Sequence, residues 1–150
     1  HLIDEKLINN GFVVIEVPNF NSLQRFIDKN NWILLECPRH VSHFTKKSLL
    51  NLFDNKKFNL VKISTFSLEF GFYGMLQSLL NLFLPIPNYL FSLIRSGNAK
   101  ISKNPLIKNY LSFILIIILI VPLSLISFFL ELLSVFFEKG GVIKIVLQKK

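Results

Sequence analysis

Arg39, His40 and His43 are the residues of this sequence best suited to do chemistry, and they lie in one short segment. Histidine titrates near neutral pH and suits a general base, so His40 and His43 are candidate catalytic residues. Arg39 can hold a phosphate or carboxylate through two parallel hydrogen bonds, which makes it a candidate substrate-binding residue. The alternative is structural: both histidines can fix the loop just before Thr45, whose hydroxyl is placed to cap a helix of about ten residues.

A metal site in this segment would have to use its cysteine as well. Cys37, His40 and His43 offer three ligands without a fourth, so we predict no metal site. The single cysteine also cannot form an internal disulfide, and nothing else in the sequence indicates an oxidising compartment.

Further candidate binding residues follow from a predicted strand. Phe12 to Val17 is almost wholly apolar and rich in β-branched residues, which is typical of a strand covered on both faces in a parallel sheet. Ligands of α/β sheets sit beyond the carboxyl ends of parallel strands, where Pro18 and Asn19 follow. Asn19 is expected either to contact a ligand or to cap a turn. Tyr73, between two nearby glycines, is a candidate substrate-binding residue at a pocket entrance.

Composition indicates a chain that seeks lipid or a partner. Its 150 residues have the length of one domain, but 51% are hydrophobic and the mean hydropathy is +0.50, which is too apolar for an ordinary soluble domain. The net charge of +8 favours anionic neighbours. A nucleic-acid partner is disfavoured, because the basic residues are not interleaved with aromatic residues on an evident groove-facing element.

The excess hydrophobicity is concentrated in a segment between two further predicted strands, Phe58 to Phe66 and Val142 to Leu147. Leu111 to Leu130 carries no charge and has the length of a membrane-spanning helix. If the strands on both sides share a sheet, however, the chain must cross a bilayer an even number of times. Pro122 should also interrupt the helix, leaving halves of about 15 to 20 Å that are too short to span.

Three arrangements of this segment follow. The favoured one is a re-entrant or interfacial helical hairpin; the others are two membrane spans, and helices that pack on the protein itself or on a second subunit. The basic connector Arg95 to Lys108 is expected to rest on an anionic leaflet, or else to be a solvated loop.

Three separated strings resemble the C-terminal half of class I S-adenosylmethionine-dependent methyltransferases, closest to a bacterial branch met in polysaccharide and lipid-linked glycan gene clusters. The strings are GFVVIEVPN at residues 11–19, PRHVSHFT at residues 38–45 and FNLVKI at residues 58–63. The resemblance covers about residues 2–80 and 139–150. It departs at Asn10-Gly11, where the family tends to have a glycine pair, and at Lys57-Phe58, where it tends to have Gly-Phe.

The resemblance implies an α/β fold containing the C-terminal part of a Rossmann-like methyltransferase sheet. Residues 1–69 and 139–150 would form its fifth, sixth and seventh strands, with the last antiparallel between the other two, and residues 70–138 a hydrophobic helical insertion. It also implies S-adenosylmethionine as cofactor, Pro18 and Asn19 as cofactor-binding residues, and methyl transfer to a sugar or lipid-linked glycan at the cytoplasmic face of a membrane.

The parts that hold most of the cofactor in that family, a glycine-rich loop after the first strand and an acidic residue ending the second, have no counterpart in this sequence. Together with His1 in place of Met, this predicts a fragment, inactive alone, whose partners are the missing N-terminal half of the fold and a membrane lipid surface. The competing hypothesis is a small non-enzymatic membrane-associated protein whose helical hairpin is the functional part.

Overall fold

A computed structural model of the chain describes residues 2–35, 40–96 and 105–150. The strands are β1 (Phe12–Pro18), β2 (Phe58–Ser64) and β3 (Val142–Lys149). The helices are α1 (Leu2–Lys6), α2 (Leu23–Asp28), α3 (Lys46–Leu50), α4 (Tyr73–Asn81), α5 (Tyr89–Ser96) and α6 (Leu106–Phe136). Short 3-10 turns cover Lys29–Asn31 and Ile33–Leu35, and a π-helical turn, Leu68–Phe72, leads directly into α4. The fold is therefore mixed α/β.

The three strands form one sheet in the order β1-β3-β2, and β3 runs antiparallel to both neighbours. This confirms the prediction that the last strand is antiparallel and lies between the other two. Because β2 and β3 are paired, the chain leaves the sheet after β2, forms the helical insertion and returns to the same sheet. A β-bulge between Leu60 and Lys62 shifts the register of β2.

One face of the sheet is covered and the other is largely open among the described residues. On the covered face, Ile143, Ile145 and Leu147 pack against Leu49 of α3. On the opposite face of β1, alternate side chains beginning with Phe12 are exposed. The prediction that β1 is covered on both faces is therefore wrong for this part of the chain, because Leu7, which follows α1, and Leu49 of α3 pack on one face only.

The capping role of Thr45 is confirmed, although the helix that it begins is short. The Thr45 hydroxyl accepts a hydrogen bond from the Ser48 backbone N–H, and the Ser48 hydroxyl accepts one from the Thr45 N–H. α3 spans five residues, fewer than the ten or so predicted. The N–H groups of Leu52 and Phe53 bond three residues back rather than four, which tightens and ends the helix.

α6 is one continuous helix of 31 residues that contains Pro122. The prediction that Pro122 divides this segment is wrong. Proline removes one backbone hydrogen bond, but Ile116 and Leu123 are both buried in the same cluster with leucines of α4, so packing holds the helix on either side of the proline. At 1.5 Å per residue α6 is about 46 Å long.

α6 is the one helix among the described residues that is long and apolar enough to cross a membrane. α4 and α5 have nine and eight residues, about 13 and 12 Å at the same rise, well short of a hydrocarbon core of about 30 Å. The alternative of two helical spans therefore lacks a second helix of sufficient length in the part of the chain that the structure describes.

A buried polar network closes the turn between α4 and α5. Asp28 accepts a hydrogen bond of 2.6 Å from the Asn81 side-chain amide, and the Asn81 carbonyl oxygen accepts from Gln77 and from the Asn88 backbone N–H. Burial raises the pKa of Asp28 to about 6, from an ordinary value of 3.8, although its hydrogen bond with Asn81 acts in the opposite direction. The folded chain therefore holds the protonated carboxyl better than the unfolded chain does.

We expect Asp28→Asn to stabilise the chain at pH 7 by about 1 to 3 kcal/mol. Because the folded pKa is raised, this carboxyl contributes most stability below about pH 4 and loses that contribution as the pH rises through about 6. The substitution should therefore flatten the fall in unfolding free energy between pH 4 and pH 7, as measured by urea titration in a non-denaturing detergent. An Asp54→Asn control should leave the slope intact, and an equal effect of both substitutions would contradict the assignment.

Candidate functional site

A cavity of about 820 Å³ lies at the carboxyl end of β1, and it brings together residues from distant parts of the sequence. Its lining includes Pro18 from β1, His40 from the loop before α3, and Tyr73 from the start of α4. These are three of the six candidate residues named from the sequence. The volume lies within the range of about 300 to 1,000 Å³ usual for small-molecule sites.

The orientation of His40 is fixed by one hydrogen bond. Its Nδ1 lies 3.0 Å from the backbone carbonyl oxygen of Leu34. A carbonyl can only accept, so Nδ1 must carry the proton and the neutral ring keeps its acceptor lone pair on Nε2. Leu34 itself lines the cavity. The imidazole is therefore held in the tautomer that a general base requires.

Tyr73 contributes its ring to the cavity rather than an available hydroxyl. The Tyr73 hydroxyl oxygen is inaccessible to solvent and has no hydrogen-bond partner. Burial raises the pKa of this phenol to about 12, so the group stays protonated at neutral pH. The centroid of the Tyr73 ring lies 6.5 Å from that of the Phe91 ring, which belongs to α5.

The structure places the other candidates elsewhere. Asn19 is buried beside β1, where its side-chain amide donates to the Gly140 carbonyl and its oxygen accepts from the Asn21 N–H. His43 does not line the cavity; it stacks on Phe20 at 5.4 Å between ring centroids. Asn19 and His43 thus have structural contacts, and Arg39 lies outside the described residues.

Several lining residues were missed by the sequence analysis. Glu69, Phe91 and Arg95 all line the cavity, whereas the sequence predicts Arg95 to belong to the basic connector. Arg95 lies on α5 with its guanidinium 5.3 Å from the centre of the Phe91 ring. A signal was available for Glu69, which is the single acidic residue between Asp54 and Glu131.

Of the other basic residues assigned to the connector, Lys108 is exposed on the first turn of α6, while Lys100 and Lys103 lie outside the described residues. Among the residues that the structure describes, no group of three His, Cys, Asp or Glu side chains could hold a metal ion.

A buried polar cluster joins the cavity walls to α6. The Gln24 amide donates to the Gly71 carbonyl at 2.6 Å and lies 3.3 Å from a carboxylate oxygen of Glu131, while its oxygen accepts from the indole N–H of Trp32 at 3.2 Å. A Cβ at Gly71 would meet the Glu131 carboxyl, so that side chain would have to move from its place in the cluster. Burial raises the pKa of Glu131, with hydrogen bonds from Gln24 and Ser134 acting in the opposite direction.

The side chains of α6 are arranged opposite to those of a helix on a water-soluble protein. Four of its six buried residues are polar, and the buried residues are Ser112, Ile116, Leu123, Ser127, Glu131 and Ser134. From Tyr110 to Phe137 the exposed positions are all aromatic or aliphatic. A helix that packs on a protein in water buries its apolar side and exposes its polar side. The outward side of α6 is therefore suited to hydrocarbon rather than to water.

Comparisons of the chain with protein-family models, with curated proteins and with solved structures found no significant match. The resemblance to methyltransferases thus rests on the three strings at residues 11–19, 38–45 and 58–63 alone.

Proposed function

We propose that this chain is the acceptor-side half of a class I S-adenosylmethionine-dependent methyltransferase that methylates a sugar or lipid-linked glycan at a membrane surface. The observation that carries the proposal is the cavity at the end of β1, where Pro18 and the oriented imidazole of His40 meet. The strand order β1-β3-β2, with β3 antiparallel, is the order expected for the end of such a sheet.

The role of the described residues is to hold the acceptor and remove its proton. Nε2 of His40 is the atom that would take the proton from a hydroxyl of the acceptor, since Nδ1 is already donating to Leu34. The apolar wall contributed by the insertion would position the acceptor and exclude water from the reacting atoms.

The described residues do not by themselves fit S-adenosylmethionine. The glycine-rich loop and the acidic residue expected to hold most of it have no counterpart in the sequence, and the side chain of Asn19 is already used in hydrogen bonds with Gly140 and Asn21. In the proposal the cofactor sits in the N-terminal half of the same fold.

The membrane part of the proposal rests on the outward apolar side of α6. Since α6 is the single described helix of spanning length and the chain returns to one sheet, one complete crossing is disfavoured. We propose that α6 lies along the membrane interface, with its outward apolar side in lipid and its polar side against α4 and α2.

The second candidate function is that of a non-enzymatic membrane-associated protein, which the same apolar side of α6 favours. Two observations separate the candidates. The coding sequence immediately upstream of His1 should contain a glycine-rich strand-loop-helix if the protein is an enzyme, and the protein containing that region should bind S-adenosylmethionine in equilibrium dialysis. An in-frame start codon with no such motif, or no binding, would favour the non-enzymatic role.

A further inference from the structure

The lining of the cavity is mainly apolar, and its hydrogen-bonding side chains are those of four ionisable residues, Glu16, His40, Glu69 and Arg95. Nine of its thirteen residues carry aliphatic or aromatic side chains, and the described lining includes no Ser, Thr, Asn, Gln or Lys. The one hydroxyl of the lining, that of Tyr73, is shielded from solvent. Recognition of a sugar requires hydrogen-bonding side chains directed at its hydroxyl groups. The described lining therefore favours a hydrocarbon ligand.

The wall of the cavity is continuous with the helix that has the apolar outward side. The π-helical turn Leu68–Phe72 supplies Phe70 to the cavity, and its neighbour Gly71 packs against Glu131 of α6. Phe70 and Ile94 line the cavity and are also exposed, Ile94 by 69%. The exposed apolar rim of Phe70 and Ile94 thus belongs to the same helical insertion as α6, and the turn that carries Phe70 packs on the buried side of α6.

We propose that this cavity holds the hydrocarbon chain of a membrane-resident amphiphile, which enters past Phe70 and Ile94. The groups of the lining that could contact the polar head group are the four ionisable residues Glu16, His40, Glu69 and Arg95. This inference rests on the proposed function and narrows its substrate class, since the cavity would recognise the lipid part of the acceptor and not its sugar.

Photo-crosslinking tests this inference directly. The 150-residue chain is reconstituted in phosphatidylcholine vesicles that contain a small fraction of palmitic acid with a diazirine in mid-chain, and the labelled peptides are located by mass spectrometry. We expect adducts on α6, from surrounding lipid, and separate adducts on the π-helical turn and α5. Palmitic acid or farnesol is added as competitor, and the one that removes the α5 adducts distinguishes an acyl chain from an isoprenoid chain.

Two substitutions of exposed apolar residues in the insertion form a matched pair. Ile94→Glu should lower the α5 adducts at least tenfold and leave the α6 adducts within twofold, whereas Leu82→Glu, at a residue 59% exposed and outside the cavity, should change neither. Val142→Phe, at a lining residue paired with Pro18 on the cavity face of the sheet, enlarges a side chain there without adding charge and should act like Ile94→Glu. Three results would overturn the proposal. They are adducts on α6 alone, adducts on α5 that persist in both cavity variants, and loss of adducts from both α5 and α6 in Ile94→Glu.

The labelling requires no methyl transfer, so the two proposals fail separately. A protein that labels as expected but transfers no methyl group would reject the proposed function and leave the hydrocarbon site standing. A protein that transfers methyl groups but shows no cavity adducts would reject the hydrocarbon site and leave the proposed function standing.

Discussion

Ile118→Asp combined with Leu125→Asp is expected to release the chain from lipid vesicles. Both residues lie on the outward side of α6, with 61% and 63% of their side chains exposed. A charged residue in the middle of an apolar helix costs about 2.5 to 3.5 kcal/mol in the hydrocarbon core and less near the boundary. The measurement is flotation with vesicles of phosphatidylcholine and phosphatidylglycerol. We expect the partition coefficient of the variant between lipid and water to be about 100-fold lower than that of the unsubstituted chain.

The control for this experiment uses exposed apolar residues outside α6. Leu52→Asp and Leu60→Asp add the same two charges at positions that are also exposed, and this pair should float like the unsubstituted chain. If both pairs float equally well, lipid does not contact the outward side of α6. If a second copy of the chain covers that side instead, Ile118→Asp with Leu125→Asp will change the oligomeric state in the absence of lipid. That result would contradict the proposed contact of α6 with lipid.

His40→Ala should lower turnover of the full-length protein by about 100- to 10,000-fold, the range usual for loss of a general base. Its affinity for S-adenosylmethionine should change far less, because the imidazole is oriented by the Leu34 carbonyl on the acceptor side of the cavity. Single-turnover rates and equilibrium dialysis separate the two quantities. Unchanged turnover would make His40 a residue that only fixes the loop.

His43→Ala is the matched comparison, three residues further along the same loop. Because His43 stacks on Phe20 and does not line the cavity, its loss should cost stability while turnover stays within about threefold. A larger fall in turnover for His43→Ala than for His40→Ala would reverse the roles that the geometry assigns to the two histidines.

The strands could be predicted from the sequence because their signals are local. Phe12 to Val17 is a β-branched run, and glycines 140 and 141 mark the turn before β3. The capping box at Thr45 is equally local. The order of the strands came from the resemblance and not from the residues alone. The exposure of one face of β1 could not be predicted, because the apolar sequence of a strand does not show which helices pack on each of its faces.

The site was harder to predict, since its residues meet only in the folded chain. Glu69 and Phe91 are far from His40 in sequence, and no periodic pattern links them. The continuity of α6 through Pro122 depends on packing against α4, which the sequence does not display. Besides the isolated acidic residue Glu69, the sequence contains a second signal: Ser127, Glu131 and Ser134 recur every three to four residues on one side of an otherwise apolar helix.

The most direct test of the proposed methyl transfer uses the full-length protein in its own membranes. It measures transfer of a tritiated methyl group from S-adenosylmethionine. We expect label in the fraction extracted by organic solvent, at least 100-fold slower labelling with His40→Ala, and a large loss of this label when residues 106–137 are deleted. Absence of transfer, or label that enters water-soluble sugars equally well with and without those residues, would contradict the proposal.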